Sequence, residues 1–144
     1  MKLTEKKLKE TLDKIAKILE KRPEVLAAYL YGSYAKGYAR DGSDLDIAIM
    51  TMPGYKPKKS DYQVVINDLL NNVAFSNKVN TAIVSFLPID QKYLSVVRGK
   101  LIYSKNDLLR AREQIKIWDN YEDMGDFFEL RAAYNAKRKE AVVA

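Results

Sequence analysis

The chain has 144 residues, which is the size of a single domain and too few to form two substantial domains. Hydrophobic residues make up 47% and charged residues 31% of it, as in globular proteins with a packed core, so a disordered chain is excluded. It contains no cysteine and no histidine, which excludes disulfides, thiolate sites, imidazole metal sites and Ser–His or Cys–His catalysis. The net charge of +6 suits a phosphate-bearing ligand but equally an ordinary lysine-rich surface.

The N-terminal third of the chain predicts a helix followed by two strands. Apolar residues at helical spacing indicate an amphipathic helix within residues 1–22 that ends before Pro23. The continuous apolar run Val25–Tyr31, stopped by a glycine, predicts a buried strand. A second strand is predicted over residues 46–50. The first residues mix charges without an apolar core and no run is long enough to span a bilayer, so we expect a cytoplasmic protein without a signal peptide or membrane segment.

The middle of the chain predicts a loop, a helix, a strand and a second helix. Prolines and a glycine mark the loop, and Ser60 is expected to cap the helix that follows it. A strand rich in β-branched residues is predicted over 78–87, and a helix over 89–97 that Gly99 ends. The buried stripe of the first of these helices is expected to comprise Tyr62, Val65, Leu69 and Val73.

The C-terminal part predicts a strand over 101–103 and a helical segment over 105–144 that Gly125 interrupts. Trp118 and Ile115 are expected to be core residues. A second apolar stripe could either pack on the chain's own core or dock a partner helix. That stripe comprises Phe127, Leu130 and Tyr134. The order of elements predicts an α/β fold for the single domain 1–144, in which helices pack against a small mixed β-sheet and a long helix ends the chain.

Small and basic residues follow the first strand. We expect Gly32 and Ser33 to end that strand and to open a short helix that runs to about residue 38. Unpaired backbone N–H groups at such a point suit a phosphate; the glycine permits close approach and the serine hydroxyl can add a hydrogen bond. Lys36 and Arg40 are near enough in sequence to supply positive charge.

Two aspartates, Asp44 and Asp46, open the second strand. Because strand side chains alternate between faces, both aspartates are expected to lie on one face while Leu45 points into the core. Two like charges held side by side are costly unless a cation lies between them, and Mg²⁺ is the natural choice for oxygen ligands. Such a pair supports in-line displacement at phosphorus. Glycine–serine and Asp-Gly-Ser-Asp sequences also occur as ordinary turns, but their joint arrangement with a basic helix and two strands favours a functional site.

Three further residues of this stretch have candidate roles. Ser43 is expected to cap or orient the turn before the first aspartate. Tyr34 and Tyr38 lie beside the expected phosphate site and could stack on a base.

The order Gly32-Ser33, basic helix, Asp44-Leu45-Asp46 resembles the signature of the nucleotidyltransferase superfamily that includes DNA polymerase β. The chain is more closely similar to the minimal nucleotidyltransferases (MNT proteins) encoded beside HEPN-domain toxins in prokaryotes. This resemblance covers nearly the whole length, including segments 79–84 and 97–103 and the C-terminal helix.

The resemblance implies an ATP- and Mg²⁺-dependent antitoxin that places AMP on a tyrosine of a HEPN ribonuclease and so silences it. It implies that residues 25–104 form the catalytic part and that two Mg²⁺ ions are held by Asp44 and Asp46. Gly32 and Ser33 would hold the triphosphate. The further phosphate contacts implied are Lys36 and Arg40, with Ser43 orienting the turn.

One position departs from the superfamily pattern. Members usually carry a third carboxylate on a later strand, which helps to bind metal and accepts the nucleophile's proton; the matching residue here is Asn80. An amide oxygen can ligate Mg²⁺ but is a very poor base. The nearest carboxylate downstream, Asp90, is expected in the first turn of the following helix.

Asn80 therefore leaves alternatives open. One is an antitoxin with weak or no catalysis that blocks its toxin by binding alone. Another is an adenylyltransferase for a small molecule, although such enzymes generally carry a further substrate domain that this chain has little length to build. For the same reason we do not expect nucleic acid to be the direct substrate.

Overall fold

The computed structural model describes residues 3–72 and 78–143 of the chain. Nearly every predicted element is present. The N-terminal elements are α1 (Glu5–Glu20), β1 (Val25–Tyr31), α2 (Gly32–Lys36), β2 (Leu45–Thr51) and α3 (Lys59–Asn71). They are followed by β3 (Val79–Ile83), α4 (Ile89–Lys92, continued by a π-helical turn over Tyr93–Val97), β4 (Lys100–Ser104) and α5 (Asp107–Val143). Within the described residues, no helix combines the length and apolarity needed to cross a membrane.

The four strands form one mixed sheet in the order β3-β2-β1-β4. Strand β1 pairs antiparallel with both β2 and β4, whereas β2 and β3 are parallel. This confirms the predicted α/β fold with a small mixed sheet and a long C-terminal helix. Strands β3 and β4 are the edges, and β2, which carries an aspartate, is central.

Helices cover both faces of the sheet. On one face α1 and α3 pack through residues such as Ile15, Leu19 and Ile66, which are fully buried. On the other face the segment 89–97 and the first half of α5 pack through Val96 and Ile117. The sheet is therefore a central layer covered on both faces, and side chains at its strand ends can project from it.

Helix α3 differs from its prediction in its start and in its buried stripe. It begins at Lys59 with Lys58 in the capping position, so Ser60 is not the cap. Val65 is exposed, and Val73 lies outside the described residues. The buried positions are Tyr62, Ile66 and Leu70. The buried residues are four positions apart, whereas the first step of the predicted stripe was three positions. Both spacings lie on one helix face, and only packing against the sheet selects between them.

Strand β3 and helix α5 also differ from their predictions. β3 ends at Ile83 and the chain turns through a 3₁₀ segment over Val84–Phe86 before Pro88. Gly125 does not interrupt α5, because one glycine costs a helix only about 1 kcal/mol. Side chains on α5 expected in the core are exposed, since the sheet covers only one side of the first half of the helix. These exposed residues are Ile115 and Trp118, and the stripe Phe127, Leu130 and Tyr134 is exposed as well.

Candidate functional site

The two aspartates lie where three strands meet. Asp44 directly precedes β2, and Asp46 is its second residue. In the sheet Asp46 is opposite Tyr31 of β1 and opposite Asn80 of β3. The end of β1, the start of β2 and the start of β3 therefore contribute to one small region, and the predicted site residues of the three strands come together there.

Gly32 links this region to the short helix α2. Its φ is +74°, a left-handed conformation that side chains other than glycine rarely adopt. A Cβ atom at this position would collide with Oδ2 of Asp46 and lie 3.1 Å from its Cγ. The backbone of Gly32 thus lies directly against the Asp46 carboxylate, which explains why this strand end carries glycine.

Asn80 contacts the aspartates from the edge strand. Its Nδ2 donates a hydrogen bond of 2.9 Å to Oδ2 of Asp44. Burial raises the pKa of Asp46; a hydrogen bond from Asn80 acts in the opposite direction, and the charge of Asp44 raises this pKa further. The ionised pair is therefore held at an electrostatic cost that a cation between the two carboxylates would relieve.

The donor set fits Mg²⁺, which prefers oxygen ligands. Asp44 and Asp46 offer carboxylate oxygens, and Asn80 offers an amide oxygen once its side chain turns from its hydrogen bond with Asp44. No group of three or more Asp, Glu, His or Cys that could hold a metal occurs in residues 3–72 and 78–143. This agrees with an asparagine at the third position.

The remaining predicted phosphate contacts lie on α2 and on the segment between it and β2. Ser33 is half-buried in the first turn of α2, and Lys36 is exposed in its last turn. Arg40 is exposed, and its backbone N–H donates a hydrogen bond of 2.8 Å to Oγ of Ser43. Ser43 therefore orients the turn before the aspartates, as expected.

The two tyrosines of this segment differ in their surroundings. Tyr34 is only 7% exposed, and its hydroxyl accepts a hydrogen bond of 3.1 Å from the backbone of Leu3. The prediction that Tyr34 stacks on a base is therefore wrong: it packs in the core and holds the start of the chain. Tyr38 is 61% exposed and remains accessible to a ligand. Asp90 lies in the first turn of α4, as predicted.

Sequence reasoning missed one neighbour of the aspartates. Tyr31 ends the strand that was predicted to be buried; its half-buried side chain packs against the core cluster that includes Tyr29 and Val96, and the residue also lies opposite Asp46. Its pKa is raised by burial and further by the charge of Asp46, so the phenol and the carboxylate are close. The available signal was its place as the last residue of β1, immediately before Gly32.

Comparison of the sequence with protein families agrees with this geometry. The model of the family "Polymerase beta, Nucleotidyltransferase" matches residues 13–108, which include the strands and the residues described above. The match spans more than half of the chain, so the chain belongs to this nucleotidyltransferase family. No curated protein matches the sequence.

Solved structures with a similar fold are toxin–antitoxin complexes. A chain of a toxin–antitoxin structure with AMP-PNP is 17% identical with a TM-score of 0.66; the match covers 84% of this chain and 92% of that one. A chain of the MntA–HepT toxin–antitoxin structure is 17% identical with a TM-score of 0.63, covering 83% and 92%. A chain of the Shewanella oneidensis complex between a tri-AMPylated HEPN toxin and an MNT antitoxin is 17% identical with a TM-score of 0.54, covering 83% and 91%. At this identity the similarity establishes the fold.

Proposed function

We propose that this chain is a cytoplasmic antitoxin that transfers AMP from ATP to a tyrosine hydroxyl of a HEPN ribonuclease toxin. The observation that carries the proposal is the convergence of the Gly32 backbone with Asp44 and Asp46 in a chain of the nucleotidyltransferase family. The similarity in fold to toxin–antitoxin structures, one with AMP-PNP and one with an AMPylated HEPN toxin, supports this choice of partner and nucleotide.

In the proposed reaction the toxin's tyrosine oxygen attacks the α-phosphorus of ATP. A new P–O bond forms, the bond to the β-phosphate oxygen breaks, and pyrophosphate leaves. Asp44 and Asp46 would hold two Mg²⁺ ions, with Asn80 as candidate third ligand through its amide oxygen. When bound, Mg²⁺ neutralises phosphate charge and stabilises the attacking and leaving oxygens.

The other residues bind and orient the triphosphate. Backbone N–H groups of Gly32 and Ser33, with the Ser33 hydroxyl, would bind phosphate oxygens, and Lys36 and Arg40 would add positive charge. Ser43 fixes the turn that leads into the aspartates.

The proton of the tyrosine hydroxyl needs a base. Asn80 cannot take it, because an amide oxygen is a very poor base. Within the described site, this leaves the carboxylates of Asp44 and Asp46 as acceptors. We therefore expect transfer that is slow beside relatives with a third carboxylate.

The position of the label in ATP tests the reaction. The protein is incubated with Mg²⁺ and the HEPN protein encoded by a neighbouring gene, with ATP labelled on either the α- or the γ-phosphate. We expect the α-label to appear on the HEPN protein and the γ-label to leave with pyrophosphate. Transfer of the γ-label would indicate phosphorylation and contradict the proposal.

A second candidate function is inhibition of the toxin by binding alone. Asn80 favours it, because the third carboxylate is replaced by an amide that donates a hydrogen bond to Asp44. This function predicts that the toxin is silenced without ATP and that no label is transferred.

A further inference from the structure

The edge strand β3 has backbone groups that point away from the sheet. In a strand paired in parallel, the N–H and C=O of alternate residues point to the same side. The backbone N–H and C=O groups of Val79 and Thr81 point away from β2. At the edge of a sheet, such backbone groups ordinarily bind solvent. In this chain, helix α3 satisfies them.

Three amide side chains of α3 form these bonds. Oδ1 of Asn71 accepts from the N–H of Val79 at 2.9 Å, and its Nδ2 donates to the carbonyl oxygen of the same residue at 3.0 Å. Oδ1 of Asn67 accepts from the N–H of Thr81 at 3.2 Å, and Nε2 of Gln63 donates to the Thr81 carbonyl oxygen at 2.9 Å. We call Gln63, Asn67 and Asn71 the amide ladder.

The residues of the amide ladder are four positions apart, which is close to one turn of an α-helix. Residues four apart lie one above the other on a helix face, so Gln63, Asn67 and Asn71 form one row along α3. The row binds β3 as a further strand would, with side-chain amides in place of peptide groups. A second bond from Nδ2 of Asn71 to the carbonyl oxygen of Asn67, at 2.8 Å, fixes the side chain of Asn71.

Asn80 lies between the two residues that the amide ladder holds. Its side chain points to the opposite face from those of Val79 and Thr81 and donates to Asp44. A slip of β3 by one residue would turn Asn80 away from the aspartates. With β2 on one side and the amide ladder on the other, β3 is held in register from both sides.

We propose that Gln63, Asn67 and Asn71 are positioning residues that hold Asn80 against Asp44 and Asp46. The part of this inference that concerns metal binding rests on the proposed function. If the amide ladder only closes the sheet edge, its loss lowers stability and nothing else. If it positions Asn80, its effect on metal binding depends on Asn80 being present.

The first test follows β3 itself by NMR, with Asn71→Leu as the variant that removes the amide at similar size. We expect the N–H of Val79 to exchange with solvent at least about tenfold faster and the Asn80 side-chain amide resonances to shift towards solvent-exposed values. Ile66→Val, a core substitution on the same helix, is the control for a general loss of stability. Unchanged Asn80 resonances in Asn71→Leu, or an equal shift in Ile66→Val, would overturn the proposal.

The second test measures Mn²⁺ binding in the presence of ATP, using the spectroscopic signal of the free ion. We expect Asn71→Leu to raise the apparent Kd about 10-fold, the lower end of what residues behind metal ligands contribute. In an Asn80→Ala background the same substitution should change the Kd less than about twofold, because the residue it positions is gone. An equal effect in both backgrounds would show that the amide ladder acts on stability alone.

The two tests separate this inference from the proposed function. If the unmodified protein binds no Mn²⁺ and transfers no AMP, the proposed function fails. The NMR measurement then still decides whether the amide ladder positions Asn80, because it requires neither metal nor nucleotide.

Discussion

Gly32, the first residue of α2, is the residue at which the backbone after β1 lies against the Asp46 carboxylate. We expect Gly32→Ala to lower the free energy of unfolding by more than about 2 kcal/mol, because φ is positive and the new Cβ displaces the Asp46 carboxylate. Since a misplacement of about 1 Å can cost about 100-fold in rate, we expect AMP transfer to fall by about that factor. Chemical denaturation and a transfer assay measure the two effects.

Gly37 provides a matched control five residues further along. Its φ is +82°, but nothing lies within 4 Å of a Cβ built there. Gly37→Ala should therefore lower the free energy of unfolding only by the strain of a left-handed backbone, about 1 kcal/mol. The rate of AMP transfer per folded molecule should be unchanged. Equal losses of transfer in the two variants would contradict a special role for Gly32.

Asn80 can be replaced by the carboxylate that the superfamily pattern carries. We expect Asn80→Asp to increase AMP transfer about 10-fold or more, because a base and a charged metal ligand are added. Without Mg²⁺ the same variant should lose about 1–3 kcal/mol of stability, since three carboxylates then converge and the hydrogen bond from Asn80 to Asp44 is lost. Mg²⁺ titrations of activity and of thermal unfolding measure both. Unchanged transfer would show that the amide suffices.

At the scale of elements, α5 has a half that packs on the sheet and a half that is exposed. Ile117 is 8% exposed, so Ile117→Ala should cost about 2–4 kcal/mol of unfolding free energy. Leu130 is 71% exposed, so Leu130→Ser should change stability by no more than about 0.5 kcal/mol. Chemical denaturation of both variants checks the contrast; a large cost at Leu130 would mean that the second half of α5 packs on this chain after all.

The sequence predicted an element correctly where the residues that determine the element lie within it or next to it. Strand β1 was predicted to the residue, because a continuous apolar run ends at a glycine with positive φ. The face of α3 was not, since apolar residues occur at both i+3 and i+4 and only contact with the sheet chooses between them. The burial of Trp118 was predicted wrongly for the same reason: the neighbouring Ile117 is the buried residue, and periodicity does not tell which face of α5 packs on the core.

The part of the candidate site that depends on local sequence was predicted, and the part that depends on long-range packing was not. Asp44 and Asp46 were placed together because alternation in a strand is local. The contacts of Asn80 and the amide ladder depend on the parallel pairing of β3 and on the packing of α3, which join residues far apart in the sequence. No local pattern encodes them.

At the scale of the whole molecule, we expect the proposed catalysis and the proposed partner binding to use different parts of the chain. The aspartates lie at the strand ends, whereas the exposed apolar side chains of α5 lie on a different element. We therefore expect the double variant Asp44→Asn/Asp46→Asn to keep its binding to the HEPN partner within about twofold in Kd while losing transfer. Calorimetric titration of the partner measures this, and a loss of binding in the double variant would contradict the separation.

The most direct test of the central claim is the intact mass of the HEPN partner after incubation with this protein, ATP and Mg²⁺. The proposed function predicts that the partner gains the mass of one or more AMP groups with the unmodified protein and none with Asp44→Asn/Asp46→Asn. An unchanged partner mass with the unmodified protein, while the toxin is still silenced in a complex, would contradict the claim and establish inhibition by binding.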